Sequence, residues 1–599
     1  MSSKSLLRHR RVQTVILFLV ASITVFAFLQ YGSSSGTKNV TSNPSNGITK
    51  SIAPADPAQP VDKSKTIIEG NSPKNTGALD DPKKGKEATV KQMGYLPPKK
   101  NIPLEELETD IDLLHARFLD FLNGEEGLTD SSTPYGVFGG SLLKLDSPFS
   151  VRTTWNRIHQ YGLAIKTIPY NRTDFLQLAR RVRSNLIAYK ILHDQPSLTT
   201  LLAISTSDKH VSAQTARQTL HKDLHSIVQE TTQSVFPWIG PRFKSIHDIQ
   251  RYFLNPTTKE MGIVFTTGTW HFELAVHAII TLRDVLNCTL PIEVVYMGPQ
   301  DLDPSMLKAF DSMPGVSTVD VLKKFSVTDL GGWSIKPFAI LAASFRTTIF
   351  IDADSLFFQN PEQVVRDSML FKEFGQMFYH DRSLFKDDPA EWFHRINPVM
   401  TKYAGTLRYT NGLSHHEMES GVVVVDKGRS GNLHALMMVC QMNSKAERDV
   451  AYKHMHGDKE TFWMTWDMIR VPYKFTPTYG GTVGYKNEKG NVCGGLFHTD
   501  EYNHPLWWNG GVLKNKHHHK DSGFMSFEFA AFDTDADKIE WEWETEDTPF
   551  CLGPRNREKE IITLSPAEKS AGAQFVELYK DLKSTGWKEY FVKRYKTKF

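Results

Sequence analysis

Two carboxylates stand two residues apart between apolar runs near the middle of the chain. Residues 347–358 read TTIFIDADSLFF, which places Asp352 and Asp354 at the end of a predicted buried strand. Such a strand presents oxygen ligands at the edge of a sheet, where a divalent cation and a diphosphate can be held together. Magnesium and manganese are bound in this way by one or two carboxylates plus substrate phosphates. The motif therefore predicts a metal and phosphate site at Asp352 and Asp354.

The segments around this motif predict a mostly parallel α/β sheet with helices on both faces. The predicted strands are 262–268, 292–297, 319–321 and 347–351, and the predicted helices between them are 272–286 and 336–345. Strands that alternate with helices are typical of this fold class. Ligands of such sheets bind outside the carboxyl ends of the strands. Because Thr266 and Thr267 end the first strand, we expect them beside the two aspartates.

Three downstream segments combine polar and apolar residues in a way that suits a binding site. They read HEMESGVVVVD at 416–426, HGDKETFW at 456–463 and CGGLFHTDEYNHPLWWNGG at 493–511. Glu419 and Asp458 are the candidate carboxylates, and tryptophans beside an amide and a glycine suit a sugar. The sugar candidates are Trp507, Trp508, Asn509 and Gly510. The ordinary alternatives are a solvated turn, a helix N-terminus and core aromatics. Lys336 is either a phosphate ligand or a surface residue at a helix start.

The first 31 residues predict a membrane anchor. An uncharged run over residues 12–31 follows four basic residues, which are Lys4, Arg8, Arg10 and Arg11. As a helix this run would be about 30 Å long, enough to cross a bilayer. Because basic flanks stay in the cytosol, residues 1–11 are expected there and the rest of the chain in a lumen. A cleaved signal peptide is the alternative.

Residues 32–100 predict a disordered stem, because their Ser, Thr, Pro, Gly, Asn and Lys content cannot bury enough apolar surface to fold. In a lumen, three sequons become candidate glycosylation sites, at Asn39, Asn171 and Asn287. The cysteines have no metal-ligand spacing. They form up to two disulfides or stay buried thiols, and they are Cys288, Cys440, Cys493 and Cys551.

The rest of the chain is long enough for a large core. Apolar residues recur at helical spacing over 101–258, so this region is predicted to be mostly helical and to support the fold or contact an acceptor. Residues 259–515 carry the motifs above and form the predicted catalytic domain. Residues 516–599 are a predicted extension that packs on it. The net charge of +3 gives no reason to expect a nucleic-acid partner.

Five ordered motifs together resemble the fungal α-mannosyltransferases of the Golgi, which are type II membrane enzymes related to the yeast α-1,3-mannosyltransferase. The motifs are GWSIKP at 332–337, FIDADSLFFQNP at 350–361, ESG at 419–421, GDKETFW at 457–463 and WWNGG at 507–511. The resemblance covers roughly residues 260–515, with weaker support as far as Cys551.

The resemblance implies a GT-A-like, Rossmann-type fold, GDP-mannose as donor, manganese as cofactor, and retention of the anomeric configuration. It assigns Asp352 and Asp354 to the metal, and His498 resembles the late histidine that completes the metal shell in related retaining transferases. A carboxylate then orients the acceptor or stabilises an oxocarbenium-like centre, with Glu419 ahead of Asp458. A covalent route through either carboxylate is the alternative.

The resemblance also implies a partner and a place. The acceptor would be a mannose-terminated N- or O-linked chain or cell-wall mannan, extended in α-1,3 linkage at the Golgi membrane, where a complex with other glycosyltransferases is expected. The alternatives are an α-1,2-mannosyltransferase, a transferase that uses UDP-sugars, and a catalytically silent luminal lectin or scaffold. A metal-dependent phosphodiesterase is more remote, because it needs more His and Asp ligands close together than the sequence offers.

Overall fold

The computed structural model describes eight parts of the chain, which are residues 103–124, 145, 147–204, 211–385, 390–514, 523–542, 550–554 and 561–599. The predicted cytosolic tail, anchor and stem, together with Asn39, lie outside these residues. Of the helices that the model describes, none is both long and apolar enough to cross a membrane.

Seven helices form the first part of the described chain, in agreement with the helical pattern of residues 101–258. They are α1 (Leu104–Glu108), α2 (Ile111–Gly124), α3 (Pro148–Ile165), α4 (Phe175–Tyr189), α5 (Leu198–Ile204), α6 (Ala213–Val235) and α7 (Ile246–Leu254). Their apolar residues share one core with the helices behind the sheet. Arg470 ties the two parts together, since its guanidinium donates to Asp120 (2.8 and 2.9 Å) and its carbonyl accepts from Asn123 (2.9 Å).

A six-stranded mixed sheet follows, and it contains the predicted strands. Its strands are β1 (Met261–Thr266), β2 (Ile292–Tyr296), β3 (Val316–Asp320), β4 (Thr347–Asp352), β6 (Gln376–His380) and β7 (Met418–Asp426). The spatial order is β3-β2-β1-β4-β7-β6. The first four strands are parallel, and β7 runs antiparallel to both β4 and β6. The carboxyl ends of β1, β4 and β6 therefore meet at one edge, where β7 begins.

A second, antiparallel sheet of eight strands was not predicted from the sequence. It is built from β5 (Ser355–Phe357), β8 (Gly481–Lys486), β9 (Val492–Thr499), β10 (Pro505–Asn509), β11 (Phe529–Ala531), β12 (Ile539–Glu542), β13 (Cys551–Pro554) and β14 (Ile561–Thr563). These strands are short, and β8 and β9 each contain two glycines, which weaken the local strand signal. Long-range pairing rather than local propensity therefore forms this sheet.

The remaining helices cover the two sheets. They are α8 (Phe272–Asp284), α9 (Pro304–Ser312), α10 (Ile335–Ala342), α11 (Pro361–Asp367), α12 (Met369–Phe374), α13 (Ala390–Ile396), α14 (Ser430–Met442), α15 (Lys445–Ala451), α16 (Lys459–Met468), α17 (Pro566–Thr585) and α18 (Trp587–Tyr595). The C-terminal helices lie against the first part of the sheet domain. Arg594 pairs with Asp284, and buried His277 of α8 makes a hydrogen bond to the carbonyl of Phe575 in α17 (2.8 Å).

The cysteines divide into one disulfide and two thiols. Cys493 and Cys551 form a disulfide that joins β9 to β13. Cys288 and Cys440 are buried free thiols. Their burial raises the pKa of both thiols, so both stay protonated and apolar in character.

The buried His277 makes stability depend on pH. Burial lowers its pKa from 6.5 to about 4, against the opposing effect of its bond to Phe575. As pH falls below 6.5, the unfolded chain takes up this proton first, so stability is lost between pH 6.5 and 4, by at most about 3 kcal/mol. We expect His277→Gln, which keeps a donor and does not titrate, to lose less stability than the wild type between pH 7.5 and 4.5 in urea unfolding. The matched change at exposed His394 is the control, and equal slopes for the wild type and His277→Gln would contradict this role of His277.

Candidate functional site

The predicted residues converge at the edge where β4 ends. Asp352 is the last residue of β4, and its neighbour in β1 is Thr266. On the other side Val422 of β7 pairs with Ile351, so residues 419–421 run past the end of β4. Thr266 is half-buried at this edge, whereas Thr267 is buried and its hydroxyl donates to the carbonyl of Gly268 (3.0 Å). The structure therefore places residues of β1, β4 and β7 around one point.

Lys336 is a buried centre of this edge rather than a surface residue. It lies in the first turn of α10, and only 10% of its side chain is exposed. Its Nζ donates to Oδ2 of Asp352 (2.7 Å) and to Oγ of Ser420 (3.2 Å). The lysine therefore bridges β4 to the start of β7 and brings one fixed positive charge into the site.

Negative charge nevertheless exceeds positive charge around Asp352. Burial raises the pKa of Asp352 to about 7, and repulsion from Asp354 and Asp458 adds to the effect of burial, so the attraction of Lys336 only partly offsets them. Burial acts to lower the pKa of Lys336, but Asp352, Asp458 and Glu419 outweigh it, and the pKa is raised. The lysine stays charged, and the site favours a further cation.

Glu419 and Asp458 lie on the β7 side of this centre. Asp458 directly precedes α16 and is buried, and its Oδ2 has no hydrogen-bond partner among the residues that the structure describes. The Oε1 of Glu419 accepts from the amide of Gly421 (2.8 Å) and from Nδ2 of Asn509 (3.2 Å). Burial raises the pKa of both carboxyl groups, and the nearby Asp381 raises that of Glu419 further.

Gly421 lets Glu419 and Trp507 approach each other closely. A Cβ atom at position 421 would lie 2.8 Å from Oε1 of Glu419, and 3.1 Å both from Oγ of Ser355 and from the ring of Trp507. All three distances are shorter than an ordinary van der Waals contact. Residues 419–421 were predicted as a turn, but they belong to β7, where Gly421 is needed for packing as well as for placing Glu419.

The Asp-x-Asp motif also joins the two sheets. Asp352 ends β4 in the first sheet, and Ser355 begins β5 in the second. The carbonyl of Asp354 accepts from the amides of Gly510 (3.1 Å) and Gly511 (2.8 Å). Both glycines have positive φ, which this turn at the end of β10 requires. Of the predicted sugar-site residues, Asn509 thus bonds the side chain of Glu419, and Gly510 bonds the backbone of Asp354.

The two tryptophans are part of the core and do not form a sugar platform. Trp507 and Trp508 are fully buried, because β10 is covered on both of its faces. Trp508 packs on Phe358 and Phe527, and its Nε1 donates to the carbonyl of Gly511 (2.8 Å). The prediction that both rings contact the sugar directly is therefore wrong, since a buried ring has no face free for a ligand.

His498 lies beneath Trp507 and not with the aspartates. Its ring stacks on Trp507 with 4.0 Å between centroids, and burial lowers its pKa to about 3. Its two ring nitrogens have no hydrogen-bond partner within the described part of the chain. Across the same part, no three His, Cys, Asp or Glu side chains are grouped to hold a metal. The structure therefore does not bring His498 into a set with Asp352 and Asp354.

The pair of aspartates fits a hard divalent cation that takes its other ligands from water and substrate. The carboxylates belong to one turn, and the raised pKa of Asp352 reflects an excess of negative charge that a cation would relieve. Asp352 and Asp354 are thus the residues that would hold manganese or magnesium.

A second ion pair at this edge was missed from the sequence. Asp381 directly follows β6 and is buried, and Lys459 at the start of α16 donates to it (2.5 Å). Lys459 lowers the pKa of Asp381 against the effect of burial. The sequence signal that could have indicated this pair is Asp381 itself, because it directly follows the apolar strand QMFYH, as Asp352 ends β4.

The two sequons that the structure describes are at the surface. Asn171 is exposed, and its Oδ1 accepts from the amide (3.2 Å) and hydroxyl (3.1 Å) of Thr173. Asn287 is exposed in the turn after α8. Both stay predicted glycosylation sites.

Comparison with known proteins identifies the segment that carries this site. Residues 260–520 match the family model described as "Mannosyltransferase putative". Over these residues the chain is similar to that mannosyltransferase family. The match begins one residue before β1 and includes every residue of the site described above, so the resemblance of the five motifs is confirmed.

Two relatives of the mannosyltransferase segment come from yeasts. The Candida albicans protein named "Putative alpha-1,3-mannosyltransferase MNN14" is 24% identical over 53% of this chain and 54% of its own length. The Saccharomyces cerevisiae protein named "Alpha-1,3-mannosyltransferase MNN1" is 23% identical over 44% of this chain and 43% of its own length. The chain thus spans about half the length of these relatives.

Solved glycosyltransferases give only low structural similarity. The galactosyltransferase LgtC with donor and acceptor sugar analogs has a TM-score of 0.25 at 11% identity, over 35% of this chain and 71% of that one. The bifunctional WbbM has a TM-score of 0.24 at 13% identity, over 53% of this chain and 60% of that one. Scores this low support no inference about the site.

Removal of Lys336 should destabilise the fold. Lys336→Met leaves Asp352 and its carboxylate neighbours without their buried counter-ion, so we expect the free energy of unfolding to fall by about 3 kcal/mol. The double variant with Asp352→Asn should recover part of this loss. Lys323→Met is a matched control, because Lys323 is 80% exposed and 3.8 Å from Asp320. Equal urea midpoints for Lys336→Met and Lys323→Met would contradict the buried pair.

Proposed function

We propose that this protein is a retaining α-1,3-mannosyltransferase with a GT-A-like fold that transfers mannose from GDP-mannose to mannose-terminated glycans. One observation carries the proposal. Within the segment that is similar to the mannosyltransferase family, β4 ends in two carboxylates beside a buried lysine, and two further buried carboxyl groups lie next to them. The names of the yeast relatives support the α-1,3 linkage for this chain.

The β4 side of the site would bind the donor. Asp352 and Asp354 would hold a manganese ion, which would supply positive charge to offset the negative charge of the leaving diphosphate. Lys336 orients Asp352 through its 2.7 Å bond and adds a fixed positive charge close to the phosphates. Thr266, in register with Asp352, lies where the nucleotide would pass across β1.

The β7 side would present the acceptor. Glu419 is held by Gly421 and Asn509 through one oxygen, which fixes its orientation toward the end of β4. A carboxylate held in this way orients an acceptor hydroxyl or stabilises positive charge on the sugar. Asp458, with a buried oxygen that no described residue bonds, is the second candidate for the same task. The leaving phosphate accepts the proton of the hydroxyl in this scheme.

We propose a place of action from the sequence. The uncharged run at 12–31 behind basic residues supports a single-pass type II anchor, a stem over 32–100 and a luminal site in the Golgi. The Cys493–Cys551 disulfide agrees with an oxidising compartment. We further propose that the chain works beside other Golgi glycosyltransferases.

The direct test is a transfer assay with the purified full chain, GDP-mannose and α-mannobiose, with and without manganese, followed by NMR of the product. We expect a manganese-dependent product with a new α-1,3 linkage.

Asp354→Asn should reduce turnover at least about 100-fold, since it removes a metal ligand. An α-1,2 product would change the linkage and keep the mechanism. No product with any nucleotide sugar from folded protein would favour a silent scaffold, and near-normal turnover by Asp354→Asn would refute the metal assignment.

Glu419 should matter for turnover more than for donor binding. Glu419→Gln keeps the shape of the side chain and its bonding to Asn509 while removing the negative charge, so we expect kcat to fall by about 100-fold or more and the KM for GDP-mannose to change little. Steady-state kinetics at saturating acceptor measure both constants. A parallel loss of kcat and donor affinity would assign Glu419 to the support of the donor site instead.

A further inference from the structure

Four rings form a continuous row near Glu419 and Asp458. The row consists of Trp333, His456, His416 and Phe385. Consecutive ring centroids are 5.0 Å apart for Trp333 and His456, and 5.9 Å apart for the next two pairs. It starts at the N-terminus of α10 and ends in the loop after β6.

The row is tied to the two carboxylates by the backbone. His456 is two residues before Asp458, and His416 is three residues before Glu419. Gly457, between His456 and Asp458, has a φ of +75°, and a Cβ atom there would be 2.8 Å from the ring of Trp333. Trp333 therefore packs directly on the turn that places Asp458, so the rings and the carboxylates keep a fixed relation.

The rings are accessible, unlike the buried tryptophans of β10. Phe385 is 56% exposed and His456 is exposed, while Trp333 and His416 are half-buried. Phe385 has a φ of 58°, a conformation that bulky residues rarely adopt. An exposed phenylalanine held in a strained backbone conformation calls for a reason other than core packing.

One ion pair lies close to two rings of the row. Lys459 and Asp381 form their 2.5 Å pair close enough to His416 and His456 to affect the pKa of both imidazoles. Flat ring faces next to fixed donors and acceptors suit a sugar, because its C–H surfaces contact rings and its hydroxyls bond polar groups. The ion pair has no net charge, which suits a neutral sugar because such a ligand has no charge to be balanced.

We infer that the row Trp333–His456–His416–Phe385 is the binding subsite for the terminal mannoside of the acceptor. The inference deepens the proposed function and rests on it for the direction of transfer. The subsite presents the sugar to Glu419 and Asp458 from the β7 side, while the donor occupies the β1 and β4 side. Phe385 and His456 are the specificity-determining residues that can be changed without disturbing the core.

The kinetic test uses Phe385→Ala and His456→Ala in the full chain. We expect each to raise the KM for α-mannobiose about five- to tenfold, with the KM for GDP-mannose and the slow hydrolysis of GDP-mannose without acceptor unchanged. Phe149→Ala, at a 70% exposed phenylalanine of α3, is the matched control and should change none of these values. A higher donor KM, or unchanged constants in both variants, would overturn the subsite.

A binding experiment separates this inference from the proposed function. Saturation-transfer NMR of α-mannobiose with the wild type, without donor, should show contact with the sugar, and Phe385→Ala should weaken that signal at least about fivefold. If the wild type makes no product but this difference persists, the mannosyl-transfer proposal fails and the subsite stands. Equal signals from both proteins would refute the subsite even if transfer occurs.

Discussion

The contact between Lys336 and Asp352 is the interaction on which the site depends. Three strand ends and the N-terminus of α16 bring five carboxyl groups to one edge of the sheet, where burial alone would force them to take up protons. Lys336 and Lys459, each bonded to one carboxylate at 2.7 and 2.5 Å, keep that edge charged. The remaining excess of negative charge is what a divalent cation and a cationic transition state would compensate.

The connection between the two sheets provides the rigidity that this charge arrangement needs. The chain leaves the first sheet at Asp352 and enters the second at Ser355, and the turn between them is fixed by the amides of Gly510 and Gly511. Behind it, the ring of Trp507 lies next to Gly421 of β7 and stacks on His498. The aromatic segment WWNGG thus acts through packing and backbone bonds, and its asparagine orients Glu419.

The sequence predicted the parts of the fold whose signal is local. The apolar strands β1, β2 and β4 and the helices between them follow from hydrophobic periodicity, and the rule on carboxyl ends of strands correctly joined Thr266 to Asp352. The antiparallel sheet was missed because its short, glycine-containing strands pair over long distances. The same reason explains the burial of Trp508, because its ring packs on Phe358, which follows β5 much earlier in the chain.

The ion pair between Asp381 and Lys459 shows a further limit. Each residue lies at the end of an element that could be predicted, but their contact depends on β6 entering the sheet beside β7, which reverses the order of these strands along the chain. His498 shows the opposite case, since a residue type suited to metal binding is turned into the core by the register of β9 with β10. Residue type alone could not decide between the two outcomes.

The proposed function requires that the end of β4 hold the metal and the donor diphosphate. Anomalous diffraction at the manganese edge, from crystals of the protein grown with manganese and GDP, would locate both. We expect one peak in contact with carboxylate oxygens of Asp352 and Asp354, with the phosphates of GDP bound to the same ion. A peak held by other residues, or GDP bound at a different edge of the sheet, would contradict it.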